Sequence, residues 1–407
     1  MQPDSTAPGL RGTVAFVTYT MSNPHVVGVF FRALRLAIRL HRRGWSIVVC
    51  NVGPVPEDPK VDRFHEFGEI LRFGGRDGAT NMRAMIEILQ RIRPDLVVFG
   101  EAPFPGMEPF FDGARTVGAP LVVLDQLYGG EIKAESWGID RLILYGLATL
   151  IEDAGEGRND VDVMPPFIHD VTPVEDLPVP RELRSHPWVT ILGFDRMVLE
   201  GGLRVLSALR RNAPVAIALS HDPERAELEM KKAGISPDRR VSLPLFEDAD
   251  MFGLIAASHG SIVANGFMQV MESLALGTPS VSIDRGRGMP GWAYDERFHP
   301  FIATEGGIEE LAKKLDDWLE QSPFSEQQLE RLALERGGVD ACVERLEAIA
   351  RSPRFLPRVQ RLSTRLRWIL AHSWRAQDPE LLKAAGIAHA RPLSVDGKSS
   401  EHDSVAR

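Results

Sequence analysis

Cysteine is scarce: the 407 residues hold two, Cys50 and Cys342, far apart and without ligand-type spacing. That excludes a disulfide framework and a cysteine-based metal site, and a reduced, cytoplasmic protein is the economical expectation. No apolar run reaches the length that spans a bilayer, so no membrane-crossing helix is expected. Positive charge is also short. Lys and Arg number 47 against 56 Asp and Glu, a net charge of −9, which argues against nucleic-acid binding by the whole molecule. Residues 1–11 are polar, lack the apolar core of a signal peptide, and are expected to form a disordered leader. What remains is the composition of a globular protein, 44% hydrophobic and 25% charged, long enough for two domains.

Short apolar runs alternate with amphipathic stretches. Residues 13–18 and 46–50 read as buried parallel strands. Between them the spacing predicts a helix over 26–43, with Val27, Phe30, Phe31, Leu34, Ala37 and Ile38 on one face. Arg32, Arg35, Arg39, Arg42 and Arg43 fall on the other, expected to be open to solvent or to an anionic membrane. Helices near 81–91 and 108–117, with strands at 96–99, 121–124 and 141–144, continue the pattern, which implies a parallel sheet covered on both faces. Residues 164–187 are proline-rich and aperiodic, and we read them as a linker. Beyond lie strands at 189–192, 215–219 and 241–243 and a helix over 203–211. A helix carrying Ile308, Leu311, Leu315 and Trp318 follows, and a last one at about 339–350 is placed to pack back across the domains.

The stretch 258–284 is the most informative. It reads as a strand end, a small-residue turn at Asn265-Gly266, a helix, a turn at Gly277-Thr278-Pro279 and a second strand. Phe267, Val270, Met271, Leu274 and Ala275 make a buried stripe, and Gln269, Glu272 and Ser273 are expected on the polar side. A helix opened by Asn-Gly offers backbone N–H groups and the positive dipole end to a phosphate. Glu272 lies six residues after Gly266, roughly 9 Å along the axis. That spacing suits a ligand with phosphate at the helix start and a diol further along, such as a nucleotide sugar; an ordinary strand–turn–helix with one exposed Glu is the competing reading. Farther on, residues 351–375 carry seven arginines and no acid, interleaved with Leu366, Trp368 and Ile369. Such a segment either lies on an anionic membrane or docks on the body. Residues 392–407 are expected to be disordered.

The arrangement resembles the GT-B glycosyltransferases, nearest in look to the peptidoglycan lipid-linked N-acetylglucosaminyltransferase and related UDP-sugar transferases. The motif that carries the resemblance is a small residue and Gly, a Glu six residues on, then Gly-x-Pro: Asn265-Gly266, Glu272 and Gly277-Thr278-Pro279. It implies an α/β fold of two Rossmann-like domains facing across a cleft. An acceptor domain over 12–163, a linker at 164–187, a donor domain over 188–335 and C-terminal helices over 336–391 follow from it. Carried over residue by residue, the resemblance gives Glu272 to the ribose hydroxyls and the Asn265–Phe267 backbone, with Gln269 beside it, to the donor. Leu245 and Phe246 become candidates for base contact, and Gly193 and Arg196 for phosphate or sugar. The family's glycine-rich first loop is replaced here by residues 20–25.

The implied activity is transfer of a sugar from a nucleoside-diphosphate sugar, UDP-linked by the resemblance, to a hydroxyl acceptor, small molecule, glycan or lipid-linked. No other cofactor is expected. A base must take the acceptor proton, and the candidates at first-domain strand ends are His25, Asp125 and Glu101. Ala264 stands where retaining members carry a glutamate, so inversion is expected. No Asp-x-Asp triplet is placed as the Mg²⁺–diphosphate clamps are, so the expected mechanism needs no metal, with Arg196 and the helix start stabilising the leaving diphosphate. Two alternatives share the architecture: a nucleotide-sugar 2-epimerase, echoed in Arg285-Gly286-Arg287, and a non-catalytic GT-B-like binding protein.

Overall fold

A computed structural model describes residues 11–20, 28–55, 59–73, 78–100, 114, 117–126, 139–147, 160–193, 196–244, 248–264, 266–284, 296–304 and 306–351. The chain forms two compact units. Among the described residues one unit takes in those up to 73, 94–100 and 120 onward, and the other takes in 78–93, 114 and 117–119.

In the first unit, β1 (Thr13–Tyr19) leads to α1 (Gly28–Arg42), β2 (Ser46–Val52), α2 (Pro59–His65) and β3 (Glu69–Phe73). The second unit contributes α3 (Gly78–Ile92), and the chain returns as β4 (Leu96–Phe99), β5 (Leu121–Gln126), β6 (Arg141–Tyr145) and β7 (Val161–Met164). These strands form one parallel sheet in the order β3-β2-β1-β4-β5-β6-β7. β1, β4 and the described positions of β5 are Val-, Leu- and Phe-rich and buried on almost every residue, as strands covered on both faces must be. Gly44, at φ 90°, ends the turn after α1 in the left-handed region that a side chain disfavours.

Residues 165–187, within the segment read as a linker, are packed rather than open. Phe167, Ile168, Leu177, Val179 and Leu183 are buried, and Arg184 gathers the carbonyls of Glu175, Leu177 and Val179 at 2.8–3.0 Å. Proline presets φ, so the segment packs without a repeating pattern.

The chain then gives β8 (Trp188–Leu192), α4 (Arg196–Ser207), β9 (Val215–Ser220), α5 (Pro223–Lys232), β10 (Arg240–Pro244) and α6 (Asp248–Ala256). β11 (Gly260–Ala264), α7 (Phe267–Ala275), β12 (Ser280–Ile283) and β13 (Ile302–Ala303) complete the second parallel sheet, ordered β10-β9-β8-β11-β12-β13. α8 (Ile308–Glu320), α9 (Glu326–Leu334) and α10 (Gly338–Arg351) close the described chain. α4 starts seven residues earlier than the hydrophobic pattern suggested. The reason is Gly201-Gly202, which reads as a break but serves as a contact: Cβ atoms there would meet Ile283 at 2.9 Å and Ile262 at 3.0 Å.

Alternation along β8 separates two cores. Val189 and Ile191 face one with α4 and α8, while Trp188 and Leu192 face the other, which runs on to Phe16 and Leu124 of the first sheet and Phe30 of α1. Both sheets therefore share one continuous apolar interior.

α10 lies against α1 through charge. Arg39 grips Asp340 at 2.7 and 2.8 Å, the Trp45 indole N–H donates to Glu347 at 2.8 Å, and Arg345 and Arg141 both hold Asp162. This corrects the expected arginine face. Arg32 and Arg35 are buried and Arg39 is paired with Asp340, so the three do not form an open cationic face. Apart from Arg351, the 351–375 segment lies outside the described residues, and among those described no helix is long and apolar enough to cross a membrane.

The Arg39 hydrogen bonds hold the Asp340 carboxyl below the usual range. Burial pushes Glu347 up, but the Trp45 bond and Arg351, Arg43 and Arg11 outweigh it and the net shift is down; Asp162 is likewise raised by burial and lowered further by Arg141 and Arg345. Folded values below unfolded ones mean stability that is present above the unfolded carboxylate range and lost as pH falls through the folded values. The urea midpoint is therefore expected to drop as pH is lowered below about 5, and the drop to shrink in Asp162→Asn. A midpoint level between about pH 5 and 3 would contradict this.

Candidate functional site

α7 follows directly from the pattern of its sequence. Phe267, Val270, Met271, Leu274 and Ala275 are all buried, as the stripe requires. The Thr278 amide bonds back to the Ser273 carbonyl at 3.0 Å, and Gly277 takes φ 79°, the left-handed stop that glycine permits. At the other end Gly266 is the extended N-cap residue (φ −98°, ψ 128°), and among the described residues no side chain caps the helix. A Cβ built on Gly266 meets no atom within 4 Å among the described residues.

Topology sets where that start lies. β8 stands between β9 and β11, so chain order reverses at the β8–β11 pair. α7 leaves from β11 and α4 from β8, which places both helix starts at the switch point, where open α/β sheets bind ligands. Gly193 leads into α4, and a Cβ there would crowd the Leu219 carbonyl at 3.2 Å.

Glu272 departs from expectation. It was read as lying on the polar side of the helix, yet it is 1% exposed, and Ser273 is buried as well. The reason is α1. Its Arg35, 8% exposed, reaches Glu272 with Nη1 2.5 Å from Oε1, and a Cβ on Gly28 would sit 3.6 Å from the Met268 methyl. Arg35 also donates to the Phe167 carbonyl at 3.4 Å, and its guanidinium carbon lies 5.1 Å from the Phe252 ring centroid. Beside it Arg32 lies 4.4 Å over Tyr145 and donates to the Gly100 carbonyl. The sequence reading missed Arg35 and Arg32 as site residues. The signal was their place, three apart among positions that are otherwise buried.

The other candidates separate clearly. Gly266, Phe267, Gln269 and Glu272 come together on α7, with Gln269 half-buried. Arg196 begins α4, is exposed, and pairs with Glu200 at 2.5 Å. Asp125 is 2% exposed near the C-terminal end of β5, opposite Leu144. His25, Glu101, Leu245, Phe246, Asn265 and the 285–287 turn lie outside the described residues. Two Asp-x-Asp triplets do occur, at Asp160-Val161-Asp162 and Asp248-Ala249-Asp250. Asp162 is held by Arg141 and Arg345, and Asp250 accepts from the Thr172 hydroxyl at 2.6 Å. Burial raises the Cys50 thiol to about 12, which leaves it inert at neutral pH.

A scan against protein-family models finds no match, and a search of curated proteins finds none. Solved structures do match. CalG4, the calicheamicin glycosyltransferase, is 13% identical and aligns over 84% of this chain and 99% of its own with a TM-score of 0.54. MurG of Acinetobacter baumannii is 12% identical over 83% of this chain and 99% of its own, also at 0.54. A putative UDP-N-acetylglucosamine 2-epimerase from Listeria monocytogenes is 10% identical over 84% and 96%, again at 0.54. Identities this low establish architecture, and the architecture agrees with the two parallel sheets and with the resemblance carried by residues 265–279. The chain has the GT-B fold of these glycosyltransferases.

Proposed function

We propose that this protein transfers a sugar from a nucleoside-diphosphate sugar, UDP-linked in the first instance, to a hydroxyl acceptor with inversion and without a metal. The observation that carries the reading is the place of the α7 start: a helix opened by an extended Gly266, with no side-chain cap among the described residues, at the switch point of the second sheet. The diphosphate meets the amides from Phe267 onward, and Glu272 receives the ribose hydroxyls about 9 Å along the helix. Among the described residues Arg196 pairs with Glu200, an exposed contact that it can give up to reach a diphosphate across the same switch point. Asp125, at the end of β5, serves as base or orients one, with His25 and Glu101 as the other candidates.

An epimerase reading has one specific support, the fold match to a putative UDP-N-acetylglucosamine 2-epimerase at a TM-score equal to those of the transferases. Incubation with UDP-N-acetylglucosamine and no acceptor separates the two. Transferase chemistry predicts an inert donor or slow hydrolysis. Appearance of the 2-epimer would replace the transferase reading. A thermal-shift screen is expected to show UDP or its sugars raising the melting temperature by several degrees, as a ligand at 100 times its Kd contributes about 2.7 kcal/mol. A screen in which no nucleoside diphosphate shifts it would remove both enzymatic readings.

A further inference from the structure

The buried Arg35–Glu272 pair is placed oddly for a mere structural contact. Its two ends lie 237 residues apart, one on the first helix of the first sheet and the other on the helix whose start faces the switch point. Side-chain exposure is 7% for Arg35 and 1% for Glu272. α1 covers the flank of α7 at two levels, at Gly28 against Met268 and, further along both helices, at Arg35 against Glu272. Around the pair the surroundings are aromatic: Phe252 faces the guanidinium, and Tyr145 stacks on Phe167 at 4.9 Å and approaches Phe267 edge-on at 6.1 Å. With Glu272 1% exposed and Arg35 on its Oε1, a diol reaches that oxygen only if Arg35 moves.

We infer that the Arg35–Glu272 ion pair is an autoinhibitory latch: without nucleotide, α1 closes over the diol-binding flank of α7, and a ribose diol takes Glu272 only by displacing Arg35. The inference rests on the reading above that Glu272 meets the diol, and adds how that site is regulated. The exchange conserves the interactions of the carboxylate, since a vicinal diol offers two O–H donors where the guanidinium offered N–H donors. A latch of this kind reduces apparent affinity by the fraction of molecules in the open state.

The test uses the full-length chain and two probes, UDP and 2′,3′-dideoxy-UDP, which lacks the diol. Calorimetry is run on the wild type, Arg35→Met and Arg35→Lys. Deuterium exchange of α1 and α7 is followed in the same proteins without nucleotide. With an open population of about a tenth in the wild type, Arg35→Met is expected to bind UDP about tenfold tighter. The dideoxy analogue is expected to bind the two proteins alike. Arg35→Met should also exchange faster in α1 and α7, and Arg35→Lys, which keeps the charge, should stay near the wild type in both measurements. Equal UDP affinity in wild type and Arg35→Met, or an equal gain for both probes, would overturn the diol exchange. Unchanged deuterium uptake would overturn the latch itself. If neither probe binds any of the three proteins, the nucleotide-sugar reading fails, and the exchange data still decide whether the two helices are held together by this pair.

Discussion

Glu272→Ala is expected to lower the free energy of unfolding by about 3–5 kcal/mol, the cost of breaking a buried ion pair by removing one partner. The loss comes less from the missing bond than from what stays behind. Arg35 would keep its charge at 7% side-chain exposure, against the Phe252 ring, with the Phe167 carbonyl at 3.4 Å still in reach. Glu272→Gln keeps the volume and an acceptor oxygen, so its loss should be markedly smaller. Urea unfolding of the three proteins at neutral pH measures both. A loss below about 1 kcal/mol for the alanine variant would mean that the pair behaves as a solvated surface bridge. The expected size has a practical consequence: donor affinity is to be compared between wild type and Glu272→Gln, because alanine removes part of the fold along with the ligand contact.

Gly338→Ala is the second large effect, and it concerns the join between α10 and the segment before β8. A Cβ at Gly338 would fall 2.0 Å from the Pro166 carbonyl oxygen and 2.4 Å from that of Pro165. Both obstacles are backbone, so no rotamer change relieves them. Overpacking of this kind costs about 3 kcal/mol or more, because a helix must shift as a body. The neighbouring Gly337 supplies the control. Nothing lies within 4 Å of a Cβ there, and Gly337→Ala is expected to stay within about 0.5 kcal/mol of the wild type. Thermal or urea melts of the pair check the contrast. Equal stability of the two variants would show that α10 does not rest on Pro165 and Pro166.

The sequence told most where a pattern was local. The strands at 96–99 and 141–145, the stripe on α7 and the glycine stops after α1 and α7 each follow from neighbours within a turn or two. Elements with little to bury escaped notice. α5 buries only Ala226 and Met230, α9 only Leu332, and β7 is four residues long with one buried. The glycines of α4 and the prolines of 165–187 misled for the opposite reason, since they punctuate sequence yet here make contacts.

The misreadings of Arg35 and of Glu272 are one fact. Each charge looked solvated because its partner was 237 residues away, and no periodicity reports that a charged face will meet an opposite charge. Helical spacing places residues on faces; it does not say what covers a face. The start of α7 was legible because it needs only Gly266 and the strand before it.

A crystal structure of the protein with UDP measures where a nucleoside diphosphate binds. The diphosphate is predicted within hydrogen-bond distance of the Phe267 and Met268 amides, with the ribose hydroxyls on Glu272 and Arg35 moved off it. UDP bound elsewhere, or at the α7 start with the Arg35–Glu272 pair intact and the ribose turned away, would contradict it.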